Sequence, residues 1–274
     1  MKPDTRYKII LSLLSVAFVA ILLVIFIPGI FSGNTLPAPD PEPRTIRFSE
    51  YDWWVKSSDT PVGPGPNMFS DSNNNVWVDE SGRLHMKIIH YGNYWQCAEI
   101  VSRESFGYGM YSFTLASDPA TLNENVVLGL FTWDDRPEYA HREIDIEFSR
   151  WEKPENKNAQ FVIQPWDFPG NIHRFDIQTN NSRSTHSFDW QSNRIIFTSS
   201  SRDCIPPSCK TDTIQEWEYS GNSIPHAGGE NARINLWLIS GKPPTDGKDT
   251  EFILEAFRFV PKLGHYYNHH LNQS

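Results

Sequence analysis

Apolar and polar side chains alternate along much of this chain, in runs too short for helices. In ARINLWLI (232–239), Ile234, Leu236 and Leu238 share one face, and Arg233, Asn235 and Trp237 share the other. In NAQFVIQ (158–164), Phe161 and Ile163 oppose Gln160, Val162 and Gln164. In REIDIEFSR (142–150), Ile144, Ile146 and Phe148 oppose Glu143, Asp145 and Glu147. A period of two is the signature of a strand with one face in a core. Nine further runs read the same way: VWVDE, RLHMKII, CAEIVSR, GMYSFTL, NVVLGLFTW, RFDIQT, THSFDW, NRIIFTS and EFILEAFRFV. Gly, Pro, Asn and Asp punctuate them, which predicts an all-β sandwich or barrel. No amphipathic helical stretch longer than two turns stands out after residue 44, and no internal repeat is present.

One segment breaks the pattern. From Ile9 to Phe31 nothing is charged, and only Ser12, Ser15, Pro28 and Gly29 interrupt the apolar side chains. Twenty-three residues of helix span roughly 34 Å, about a bilayer core. Lys2, Arg6 and Lys8 precede the run, so the expected orientation has residues 1–8 inside and the rest outside. The competing reading is a cleaved signal peptide and a secreted product, but the run is long for one and no Ala-x-Ala site ends it. The expectation is therefore a transmembrane signal anchor at 9–31, a Pro-rich linker at 32–44, a folded domain at 45–262 and a polar, His-rich tail at 263–274. The membrane is then a partner, and the domain is membrane-anchored and extracytoplasmic.

Charge and composition narrow the partners. The net charge is −9, which argues against nucleic acid, because phosphate binding needs basic patches. Ten Trp, 10 Tyr and 17 Phe suit a sheet-rich core or a surface that stacks on flat ligands. Cys204 and Cys209 enclose CIPPSC, which predicts a local disulfide in an oxidising compartment. Cys97 is left odd and reads as a small buried hydrophobe. Asn180 and Asn272 each begin an Asn-x-Ser pattern.

The acidic face of REIDIEFSR carries the candidate chemistry. Glu143 and Glu147 lie ~13 Å apart at Cα on a strand. Their long side chains can close that to ~5.5 Å, the spacing of a nucleophile and an acid/base in a retaining glycosidase. Asp145 stands between them, and crowded like charges keep one carboxyl protonated near neutral pH. The same alternation also describes an ordinary half-solvated strand. Acids strung along one strand do not wrap a calcium ion.

The Glu-Ile-Asp-Ile-Glu-Phe stretch resembles the active-site signature of glycoside hydrolase family 16, which includes licheninases and laminarinases. CAEIVSRESFGYGMYSF before it, VVLGLFTW leading into it, and NAQFVIQ, THSFDWQSNRIIF and RINLWL after it resemble the family in order, over roughly residues 45–260. The resemblance implies a concanavalin-A-like jelly-roll sandwich of two antiparallel sheets with a concave cleft. It implies retaining hydrolysis, or transglycosylation, of internal β-linkages in a polysaccharide. A non-catalytic carbohydrate-binding domain on the same fold is the alternative. By position Glu143 would be nucleophile, Glu147 acid/base and Asp145 their helper. Glu99, Asn235, Trp237 and His186 would bind substrate, or, for His186, make a structural hydrogen bond beneath the cleft. Trp133, Gln164, His141 and Arg142 are further substrate-binding candidates. No cofactor is required, and a structural calcium on the outer face is a family habit. This chain also departs from licheninases. His141-Arg142 replaces the Trp-Asp before the first Glu, Val101 replaces an Arg, and Val162 and Gln164 replace an Asn and a Tyr. The specificity of licheninases is therefore not carried over.

Overall fold

The computed structural model describes residues 42–179, 183–201 and 212–262. In chain order the strands are β1 (Thr45–Phe48), β2 (Tyr51–Val55), β3 (Met68–Phe69), β4 (Val76–Val78), β5 (Leu84–Tyr91) and β6 (Tyr94–Ser102). Then come β7 (Gly109–Leu115), β8 (Val126–Trp133), β9 (Ile144–Phe148), β10 (Ala159–Ile163) and β11 (Ile172–Phe175). The last are β12 (Ser184–Trp190), β13 (Ile195–Ser200), β14 (Thr213–Tyr219), β15 (Asn231–Leu238) and β16 (Thr250–Pro261). One layer runs β11-β10-β9-β8-β15-β6, with β2 and β1 beyond; the other runs β5-β16-β7-β12-β13-β14. The β5–β6 hairpin joins them. Every pairing between named strands is antiparallel except β3 with β6.

The alternation read from the sequence is what closes the layers on each other. Ile144, Ile146 and Phe148 of β9 are fully buried, as are Ile234 and Leu236 of β15. Aromatic rings bridge the layers: Trp53 meets Phe257 at 5.1 Å, and Phe161 stacks on Phe197 at 4.9 Å. Such pairs add to the area they bury. Eleven of the twelve expected runs fall on strands, and RFDIQT overlaps β11 only at Arg174 and Phe175. The strands without a matching run are β1, β2, β3 and β14. The first three are short, and β14 (TIQEWEY) is an edge strand with half-exposed positions on both faces, so no clean period marks it.

The transmembrane helix expected at residues 9–31, with the membrane as partner and the membrane-anchored, extracytoplasmic location that rest on it, finds no counterpart among the described residues. Among the described residues no helix is long and apolar enough to cross a membrane. The helical segments there are three 3-10 turns of three residues each, which reach ~6 Å against the ~30 Å of a bilayer core. Residues 9–31 themselves lie outside the described residues. So do the Cys204–Cys209 pair, both Asn-x-Ser patterns and the His-rich tail.

Candidate active site

The first layer carries its polar residues on the face away from the core, and strand register lines them into rows. In the central row Glu147 of β9 lies opposite Gly129 of β8, Gly129 opposite Asn235 of β15, and Asn235 opposite Glu99 of β6. The next row runs Asp145, Phe131, Arg233, Val101. Glu143 enters just before β9 in extended conformation. All of these but Val101, with Trp133, Trp237 and residues of the 56–64 loop, line a cleft of about 570 Å³. Glycine at 129 leaves room for the Asn235 amide: a Cβ there would run into Asn235 Oδ1.

Burial sets the electrostatics. Asp145 is 4% exposed, and its proton affinity rises well above the usual carboxylate range through burial, then through the charges of Glu143 and Glu147. Glu143 is raised by burial and by Glu147, and a hydrogen bond shared with Asp145 and the charge of Arg233 oppose this. Asp145 therefore keeps a proton and gives it to Glu143 as a hydrogen bond, which favours the ionised Glu143. Glu147 is also raised by burial; the Gln160 amide, 2.6 Å from its Oε2, pulls the other way.

Glu99 is 1% exposed and held by Lys56 at 2.9 Å and Arg233 at 3.4 Å. Lys56 carried no signal in the sequence: it follows β2 in a loop with no motif. Asn235 Oδ1 has no hydrogen-bond partner among the described residues. Gln164 sits at the rim, its Nε2 3.4 Å from Asp145 Oδ2.

Three expected residues lie elsewhere. His141 is not on the cleft surface: it stacks flat behind Trp133, ring centroids 4.1 Å apart, and donates from Nδ1 to the Asp134 carbonyl. Arg142 turns away into the protein, where it pairs with Asp134 at 2.8 Å and donates to the His226 carbonyl. The cause is the backbone. Tyr139, Ala140, His141 and Arg142 have φ of 55°, 51°, 61° and 53°, a left-handed turn without a glycine. Such backbone costs about 1–2 kcal/mol per residue. Thr132 Oγ1 donating to the Arg142 carbonyl, Asp134 N donating to the His141 carbonyl and the Arg142–Asp134 pair offset it. His186 lies between the layers, fully buried, against Phe148 and bonded to Ser184 and Ser199. Burial lowers its pKa to about 3, so it is a neutral ring under the sheet and does not reach the cleft. Among the described residues no group of three or more His, Cys, Asp or Glu could hold a metal ion.

Known structures share this architecture. A Bacillus licheniformis β-glucanase matches at 19% identity and TM-score 0.56, over 77% of this chain and 92% of that one. A lichenase from a mouse hindgut metagenome matches at 18% and 0.55, over 80% and 99%. A family-16 endo-glucanase from Bacteroides ovatus matches at 13% and 0.55, over 76% and 94%. The chain has the fold of a family-16 glycoside hydrolase. No family model and no curated protein sequence matches it. The all-β jelly-roll expectation holds, and Glu143, Asp145 and Glu147 line the cleft on the face of its first layer.

Proposed function

We propose that the chain is a retaining, endo-acting glycoside hydrolase of family 16, cutting internal β-linkages of a neutral polysaccharide. The observation that carries this reading is the file of three carboxyls, Glu143, Asp145 and Glu147, on one wall of the cleft, Asp145 buried and the two Glu half-buried. Among the described residues none of them has a salt bridge; their direct polar partners are Gln160, Gln164 and each other.

Glu143 attacks the anomeric carbon while Glu147 gives its proton to the departing glycosidic oxygen, and an ester to Glu143 forms. Glu147, now ionised, takes a proton from water as that water attacks the same carbon. The ester bond breaks, and both carboxyls return to their starting states. Asp145 hydrogen-bonds Glu143 and moderates its charge in each step. Trp133, stiffened by His141, and Trp237 offer apolar faces to sugar rings, and Asn235 Oδ1 accepts from a hydroxyl. Neutral sugar fits best, because Lys56 and Arg233 are already engaged by Glu99 and Asp135.

The test is incubation of the purified chain with lichenan, laminarin, xyloglucan and agar, followed by proton NMR of the products. Oligosaccharides appearing first as the β-anomer support the reading. First-formed α-anomer, or no cleavage of any β-polymer, sinks it.

A further inference from the structure

We infer that Arg174, on the edge strand of the first layer, is a positioning residue that acts through Gln160 to orient Glu147 and leave Glu147 Oε1 as its proton-carrying oxygen. The assignment of Glu147 as acid/base rests on the reading above; the relay itself rests on geometry.

The central row of the sheet continues past Glu147. Gln160 of β10 lies opposite Glu147 of β9, and Arg174 of β11 lies opposite Gln160. Arg174 Nε donates to Gln160 Oε1 at 2.9 Å, and Gln160 Nε2 donates to Glu147 Oε2 at 2.6 Å. A guanidinium has donors only, so whatever atom of Gln160 faces it must be the carbonyl oxygen. That fixes the amide, which could otherwise flip, with its NH2 group toward Glu147. Glu147 Oε2 is thereby committed as an acceptor, and the acid proton resides on Oε1.

Gln160 is buried, whereas Arg174 is exposed at the sheet edge with its guanidinium over Trp151, 5.0 Å away. Arg174 is not among the residues lining the cleft, which is why it positions and does not catalyse. The charged groups around Glu147 are Asp145 on its own strand, Glu143 just before that strand, Arg233 from β15, Glu99 with Lys56 from the β6 side, and Arg174 from β11; β8 and β10 contribute none opposite it. Arg174 opposes the rise that burial causes in Glu147.

The test uses R174M, which leaves an apolar stem on an exposed position, and R174K, which restores a cation and a donor. In carbon-13 carboxyl titrations, with Glu147 assigned by comparison with E147Q, the Glu147 midpoint moves up in R174M by about half a unit or more. R174K returns most of that shift. In turnover, R174M loses about tenfold in kcat with KM within about twofold, and its alkaline limb moves to higher pH. An unmoved Glu147 midpoint in R174M overturns the relay, as does a shift that R174K fails to reverse. The titration needs no substrate, so it decides the relay even if no polysaccharide is cut, a result that would count against the glycosidase reading alone.

Discussion

Asp134, ahead of the left-handed turn at 139–142, and the three acids beyond it are built on opposite rules. Ahead of the turn, Asp134 accepts from Arg136 at 2.9 Å, from Arg142 at 2.8 Å and from the Gly229 amide at 3.2 Å. Its pKa falls to about 2, chiefly through Arg136. The chain fits tightly here: a Cβ on Gly228 would run into Arg142. Beyond the turn, Asp145 is as buried and Glu143 and Glu147 are half-buried; among the described residues none has a salt bridge, and their pKa values rise. A buried carboxylate given its cations is a fastener. One with no cation in direct contact stores a proton that chemistry can move.

The largest expected break is on the proton-storing side. Glu143→Gln keeps the shape and removes the nucleophile, so turnover falls by about 10⁴-fold or more with an unchanged circular-dichroism spectrum. Near-normal turnover would remove Glu143 from its role. On the fastening side, Arg142→Met leaves Asp134 short of a buried partner, and urea denaturation should report a loss of about 3–5 kcal/mol. A change within experimental scatter would mean that the turn supports itself.

The two groups also differ in the sign of their pH dependence. Asp145 binds its proton more tightly folded than unfolded, so its burden on stability is absent below about pH 4 and grows as pH rises through neutrality. Asp145→Asn should therefore melt higher than wild type at pH 7 and equal to it near pH 4. Asp134 is the reverse: its stabilisation is present above about pH 4 and fades as pH falls toward about 2. Asp134→Asn should melt lower than wild type at pH 7, with the gap narrowing in acid. Parallel pH profiles for the two variants would erase the distinction. The smallest effect expected is from Gly129→Ala, which pushes on Asn235 and should raise KM several-fold, about 1 kcal/mol of binding, while kcat changes little.

Much of this was legible in single strands. The twelve runs, the core assignment of Ile144, Ile146 and Phe148, and the shared face of the three acids all follow from a period of two, which is a local property. The transmembrane expectation drew on 9–31, outside the described residues, and the described residues offer no helix to replace it. His141 and Arg142 were expected beside the substrate because they adjoin Glu143 in the chain. Positive φ at four successive residues turns them elsewhere, and no glycine announces such a turn. His186 sits on the inward face of β12 with Ser184, a placement that alternation permits but that cannot say which sheet lies above it.

The sequence by itself determined the strands, which side chains share a face, and the order Glu-Asp-Glu along one of them. Only the tertiary structure decided who stands next to that file. Alternation fixes a residue's face but not its strand's neighbours. Pairing across the sheet put Gln160 and Arg174 on one side of Glu147, with Gly129, Asn235 and Glu99 on the other. Lys56 reached Glu99 from 43 residues away. Those distances along the chain are closed by long-range packing, and that packing decides which buried acids receive a cation and which are left holding a proton.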